Sequence, residues 1–275
     1  SLAGKRTLDW PCCENNVSLH SREDEIQVRN DMSGTGAEVI RAAIKSRRSV
    51  RAFTNEAPPR SVIQEILNVA ARAPSASNTQ PWMVHVLQGA ARANLTAAIM
   101  QVRAAGGVQP EPDYQYHPEC WPEPYLDRRR TVGWALYEAV GIAKGDRAAS
   151  ARWHDRNFDF FGAAVGLIFT VDRRLGLGSL IDIGLYMQNV MIMARALGYD
   201  TCAQAAFAHY SDVIRAELQI PDVQMVVCGM ALGIADHDAD ANRFETDRAP
   251  LPEFVTFHMG GGPAGSLSHD ETTKP

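Results

Sequence analysis

Residues 180–197 are apolar almost all round, with Asp182, Gln188, Asn189 and Arg195 as the main polar exceptions and Gly198 placed to end the run as a C-cap. A helix of this composition has to be covered on most faces, because every apolar side chain left in water forfeits its burial free energy. Two arrangements do this: a central position in the core, or a subunit interface. The apolar runs on either side, 163–171 and 225–231, are bounded like buried strands, so the helix is expected to lie against a sheet.

The chemistry-bearing residues cluster upstream. Thr35 and Glu38 form a capping-box pattern, and Val39, Ile40, Ala43, Ile44 and Arg47 recur at helical spacing, which predicts a helix ending in Arg47-Arg48-Ser49-Val50-Arg51. Guanidinium groups offer planar forks of donors suited to phosphate oxygens, and a serine hydroxyl adds a neutral hydrogen bond, so this run reads as an anion seat. The alternative is the solvated end of an amphipathic helix. Ser61 and Gln64 open a second predicted helix, with an apolar stripe of Val62, Ile66, Val69, Ala70 and Ala73 that Pro74 stops. A polar loop then runs Pro74-Ser75-Ala76-Ser77-Asn78-Thr79-Gln80-Pro81-Trp82 into a short strand over 83–87 and an Ala-rich helix to about Ala105. A further short helix is expected over 211–218.

Residues 106–156 differ in character and read as an insertion. Ten of the 21 aromatics fall between Ala104 and Phe161, a density that suits a stacking surface or a small satellite core. Residues 1–33 show no periodicity and read as an N-terminal arm, while 261–275 read as a flexible tail. Of the other residues that could carry chemistry, His85 lies in an apolar strand and His209 in a polar turn, both structural settings. His117 and Cys120 lack a second ligand pair, so no metal is expected.

A net charge of −5 provides no general basic field for nucleic acid, so the Arg cluster answers to something small and anionic. No apolar run is long enough for a bilayer, and the first residues lack a signal-peptide core. Five cysteines without C-x-x-C spacing suit reduced thiols. A cytoplasmic protein is expected.

The Arg47–Arg51 run and the 74–82 loop are followed, in order, by Asn157-Phe158-Asp159-Phe160-Phe161-Gly162-Ala163, Asp182-Ile183-Gly184-Leu185-Tyr186-Met187-Gln188-Asn189, Gly198-Tyr199-Asp200-Thr201-Cys202-Ala203-Gln204 and Thr246-Asp247-Arg248-Ala249-Pro250-Leu251. In that order the six resemble the FMN-dependent nitroreductase family, most closely its lid-bearing branch acting on nitrobenzoates and other nitroaromatics. The resemblance covers residues 37–257, within one FMN domain over 34–260. It implies an α+β fold, a mixed sheet wrapped by helices, in an intertwined homodimer with FMN at each end of the interface.

By the same resemblance, Arg47 and Arg248 hold the FMN phosphate, and Arg48, Ser49 and Arg51 reach along the ribityl chain toward the flavin O2 side. A cation there favours the anionic reduced flavin. Pro74, Ser75, Ala76, Ser77 and Asn78 match the loop against the isoalloxazine and ribityl. Asn157 matches a residue near the pyrimidine edge; the alternative from the residues alone is a helix or strand cap. Gln204, Ala205 and Ala206 fall where backbone amides face N5 and O4. Ala203 departs from the family, whose members often have proline there.

In the lid, Tyr125 and Phe160 are the expected stacking partners for a substrate, and Arg129, with Arg128 and Arg130 beside it, the partner for an acidic ring group. The implied activity is a ping-pong reduction of nitroarenes by NAD(P)H, nitro to nitroso to hydroxylamine. No catalytic side chain is needed. Reductive dehalogenation of halophenols and a non-catalytic flavin-binding module are the rival readings.

Overall fold

A computed structural model describes residues 36–106 and 112–258 of the chain. The expected arm (1–33), the expected tail (261–275) and Thr35 of the first capping box lie outside them. Elements occur in the order α1 (Ala37–Ser46), α2 (Arg60–Ala70), β1 (Met83–Gln88), α3 (Gly89–Ala104), α4 (Tyr125–Ala139), α5 (Arg147–Asp155), β2 (Val165–Asp172), α6 (Gly178–Ala196), β3 (Asp200–Gln204), α7 (Ser211–Leu218) and β4 (Gln224–Gly233). Most follow the periodicity of the sequence. The second helix starts two residues earlier than the expected capping box implies: Pro59 rather than Ser61 stands at its N-cap and Ser61 lies inside, so the Ser61/Gln64 capping box does not form. Proline is suited to helix starts because its missing N–H would have no partner there.

The four strands pair antiparallel in the order β1-β2-β4-β3. The parallel component is a single bridge, Ser49 to Thr201, on the outer side of β3. Both central strands are buried along nearly their whole length, as continuous apolar runs require. Alternation along β2 splits the core in two. Val165, Leu167, Phe169 and Val171 face α2 and α6, meeting Ile63, Ile66, Ile183, Tyr186 and Val190. Ile168 faces the other layer, with Leu95 and Ile99 of α3, Ile214 of α7, Phe158, Phe160 and Phe207.

On that second face two glycines make room for rings. A Cβ at Gly166 would lie 2.5 Å from the Phe160 ring, and one at Gly229 would lie 2.3 Å from Phe207. The two rings stack on each other at 4.6 Å. Phe160 and Phe161 both take φ of 56°, a left-handed turn that folds this segment inward.

The insertion is fastened where the β2–β4 ladder is irregular. The register shifts between Phe169 and Thr170, leaving Val227 without a partner in β2. Its carbonyl accepts the Tyr114 hydroxyl at 2.7 Å. Next door, Asp113 accepts the Val226 amide and the Arg215 guanidinium, with Arg173 at 3.3 Å. Tyr114, Tyr116, His117 and Trp121 continue as a chain of ring contacts along the insertion, with Tyr116 and His117 exposed.

Within the single chain, helix α6 is covered along one stripe only, so the core alone does not supply the cover that its composition calls for. One stripe, Asp182, Ile183, Tyr186, Val190 and Ala194, is buried against α2 and the sheet. The opposite side carries Ile181, 69% exposed, and Leu185. Beside it α1 leaves Val39, Ile40 and Ile44 in solvent. Among the described residues no helix is long and apolar enough to cross a membrane.

Candidate functional site

Helix α1 ends at Ser46 because Arg47 turns to an extended conformation, φ −64° and ψ 124°. The chain then runs along β3, where the Val50 amide donates to the Thr201 carbonyl at 3.1 Å. An extended segment alternates its side chains. Val50 and Ala52 enter the core, while Ser49 and Arg51 line a cavity of ≈ 760 Å³ together with Arg47, Arg48, Lys45, Arg195, Gln188 and Arg248.

The charges in this cavity are unequal. Arg195 is neutralised: it donates to Asp200 at 3.1 Å and to the Ser46 hydroxyl at 3.0 Å. Arg47, Arg48, Arg51 and Arg248 have no carboxylate partner among the described residues. Arg248 bonds only to Thr246 and the Asp247 carbonyl, and Arg51 to the Ser49 carbonyl. Burial, and then the like charge of Arg248, hold the Arg47 pKa below its usual value. Glu245 also lines the cavity but forms no ion pair with these four, so they face one another as like charges whose repulsion an arriving dianion relieves.

The 74–78 loop lies elsewhere. The Ala76 amide donates to the buried Asp182 carboxylate at 3.3 Å, and the Ser75 hydroxyl accepts the Gln80 amide at 2.9 Å. Ser77, Asn78 and Gln80 take φ of 49°, 56° and 47°. Non-glycine residues held left-handed cost about 1 kcal/mol or more each, a strain found where backbone is aimed at a ligand. Trp82 closes the loop by stacking on Tyr186 at 4.9 Å. The carboxylate inside an apolar helix was the sequence signal for this anchor.

Gln204 and Asn157 meet: the Gln204 amide nitrogen donates to the Asn157 carbonyl at 2.6 Å, while Gln204 Oε1 is buried without a partner. The Asn157 side chain donates to the His154 carbonyl at 2.9 Å, at the end of α5, which is the capping role. Ala205 and Ala206 follow in a 3-10 turn, Ala205–Tyr210. None of these residues, nor the 74–78 loop, lines the arginine cavity of the single chain.

In the insertion, Tyr125 is exposed at the start of α4, with Arg128 over its ring at 5.9 Å and paired to Glu253. Arg129 lies over Trp121 at 5.3 Å. The expectation for Phe160 is corrected: its ring is fully buried between Gly166 and Phe207 and presents no face to a substrate. Adjacency to the insertion in sequence suggested the lid, but the left-handed turn carries the ring into the core. Sequence reasoning also passed over Asn242 and Asp113, single polar residues in unpatterned segments that become buried anchors only in the fold. Among the described residues no group of three His, Cys, Asp or Glu is placed to hold a metal ion.

Residues 44–234 match the model of the nitroreductase family. The chain belongs to the nitroreductase family. It is 42% identical over 214 residues to the chloronitrobenzene nitroreductase of Comamonas testosteroni, covering 78% of this chain and 94% of that one. It is 40% identical over 222 residues to the 4-nitrobenzoate reductase of Nocardioides sp. (strain LMS-CY), covering 80% and 90%. The crystal structure of the FMN-dependent nitroreductase NfnB from Mycobacterium smegmatis in complex with NADPH superposes with a TM-score of 0.77 at 31% identity, covering 81% of this chain and 99% of that one. As a nitroreductase-family chain, this one keeps Arg47–Arg51 inside the matched residues, whereas Arg248 lies beyond them.

Proposed function

We propose that this chain is an FMN-dependent nitroreductase that uses NADPH to reduce nitroaromatic compounds by a ping-pong, two-electron route. The observation that carries the reading is the arginine cavity: four guanidiniums without counter-ions, gathered from both ends of a nitroreductase-family domain. That donor set fits a phosphate dianion, which takes several charge-assisted hydrogen bonds at once. FMN, when bound, would supply the two-electron redox chemistry that links NADPH oxidation to nitro-group reduction.

The chain's own residues position and screen. Arg47 and Arg248 would hold the phosphate, and Arg48, Ser49 and Arg51, which line the same cavity, would bind along the ribityl toward the flavin O2 side. The strained loop Pro74, Ser75, Ala76, Ser77 and Asn78 presents backbone and hydroxyls to the isoalloxazine, and Asn157, Gln204, Ala205 and Ala206 border its edge. The buried, unpartnered Gln204 Oε1 is an acceptor waiting for a donor. Tyr125 and Arg129 receive the ring and acidic group of the substrate.

The site is shared between two copies of the chain in this reading. Loop 74–78 is absent from the arginine cavity of one chain, and the exposed apolar face of α1 and α6 adjoins that cavity through Ile44. A second copy covers that face and completes the site. The cytoplasm suits the free thiols of Cys120, Cys202 and Cys228 and supplies NADPH.

The test is the visible spectrum of the purified protein under anaerobic conditions. A flavin band that bleaches with NADPH and returns on adding 4-nitrobenzoate is expected. A protein that takes up no FMN overturns the reading. Halide release from a halophenol, without nitroarene turnover, replaces it by dehalogenation.

A further inference from the structure

The two arms of the anion seat come from opposite ends of the chain, and like charge pushes them apart. One arm is Arg47–Arg51; the other is Phe244–Arg248. Something neutral has to hold their spacing before any ligand arrives. Asn242 stands at the junction. It is 3% exposed. Its Oδ1 accepts the Arg51 amide at 2.8 Å, and its Nδ2 donates to the Ala52 carbonyl at 2.7 Å and to the Asp236 carbonyl at 2.8 Å. Its own amide donates to Ala239 at 2.9 Å, which fixes the short turn Asp240–Asn242 from which the second arm departs.

The neighbouring backbone repeats the link. The Asp236 amide donates to the Ala52 carbonyl at 3.0 Å, the Thr54 amide to Ile234 at 2.9 Å, and Phe53 bridges Ala235. Those bonds join the segments at residues 52–54 and 234–236, behind the seat. Among the described residues only Asn242 grips the backbone of Arg51 itself, within the cavity wall. An amide side chain is the group that both accepts from one backbone and donates twice to others without adding charge beside the arginines. Aspartate would lose both donors, and alanine all three bonds.

We infer that Asn242 is a positioning residue that sets the distance between the two arginine arms, and so the preference of the site for a phosphorylated over an unphosphorylated flavin. This rests on the proposed FMN function. The experiment compares dissociation constants of apo-protein for FMN and for riboflavin, by flavin fluorescence, in wild type, Asn242→Ala and Tyr186→Phe. Tyr186→Phe is the control: it removes a buried hydroxyl bond to the Leu67 carbonyl, and neither residue lines the cavity.

Asn242→Ala is expected to weaken FMN about tenfold or more, as loss of alignment with a charge-assisted contact does, while riboflavin changes by less than about threefold. Tyr186→Phe should leave the FMN-to-riboflavin ratio unchanged. A wild type that binds neither flavin, or both equally, defeats the FMN reading itself. A wild type that discriminates, with an Asn242→Ala protein that discriminates equally well, overturns the role of Asn242 alone. So does a control that loses discrimination to the same extent. If Asn242→Ala does not fold, hydrogen exchange of the wild-type apo-protein decides: the Arg51 amide should be protected like the strand amides, and fast exchange there overturns the inference.

Discussion

Arg248→Ala is expected to move two measurements in opposite directions. The side chain is exposed, and among the described residues it bonds only to Thr246 and Asp247 of its own loop, so little folding energy depends on it. It does raise the electrostatic cost of the half-buried Arg47. Removing it relieves that repulsion, worth at most about 0.2–1 kcal/mol for a solvent-screened pair, and the apo-protein should become slightly more stable. Binding goes the other way. A charge-assisted bond to phosphate contributes about 1.5–3 kcal/mol, so FMN affinity should fall about 10- to 150-fold. Riboflavin affinity should stay within about twofold. The assay pairs flavin fluorescence titration with urea unfolding of the apo-protein at one salt concentration. Unchanged FMN affinity would refute the phosphate assignment, and an apo-protein destabilised by more than about 1 kcal/mol would show that Arg248 is a structural residue instead.

Asp113→Asn should cost about 2 kcal/mol at pH 7, less than a fully buried pair because Arg173 remains partly in water. The hydrogen bonds and charge of Arg215, with the Val226 amide, hold the Asp113 pKa below its usual value against the opposing effect of burial. Its contribution is therefore complete above the ordinary carboxylate pKa and is lost as pH falls through the lowered one. Urea midpoints of wild type and variant should converge in acid. Gly229→Ala should destabilise by about 1–3 kcal/mol, because a methyl 2.3 Å from Phe207 meets a ring that is itself fully buried. A variant with the wild-type urea midpoint would refute that packing argument. Ile181→Asp should convert a two-copy wild type into single chains in sedimentation, since association would bury an unpaired carboxylate. A wild type that already sediments as one chain refutes the shared site.

Most helices and the two central strands were legible because their signals are local. Periodic apolar residues place Ala37–Ser46 and Ser211–Leu218, and continuous apolar runs place Val165–Asp172 and Gln224–Gly233. Strand Asp200–Gln204 was not foreseen. Its five residues show no alternation, and it exists because β4 and the bridge at Ser49 supply partners on either side. The apolar residues Phe254 and Phe257 belong to no described strand, and both side chains stay exposed.

By itself the sequence determined the local inventory: a guanidinium cluster at a helix end, a proline-bounded polar loop, an apolar helix needing cover, and a family order linking them. Tertiary structure alone decided which of these meet. It joined Arg47–Arg51 to Arg248 through Asn242, kept loop 74–78 apart from that cavity, and turned Phe160 into the core against Gly166. The physical reason is that hydrogen bonds between residues 191 positions apart, and a ring lying on a glycine, are set by long-range packing, which no local period encodes.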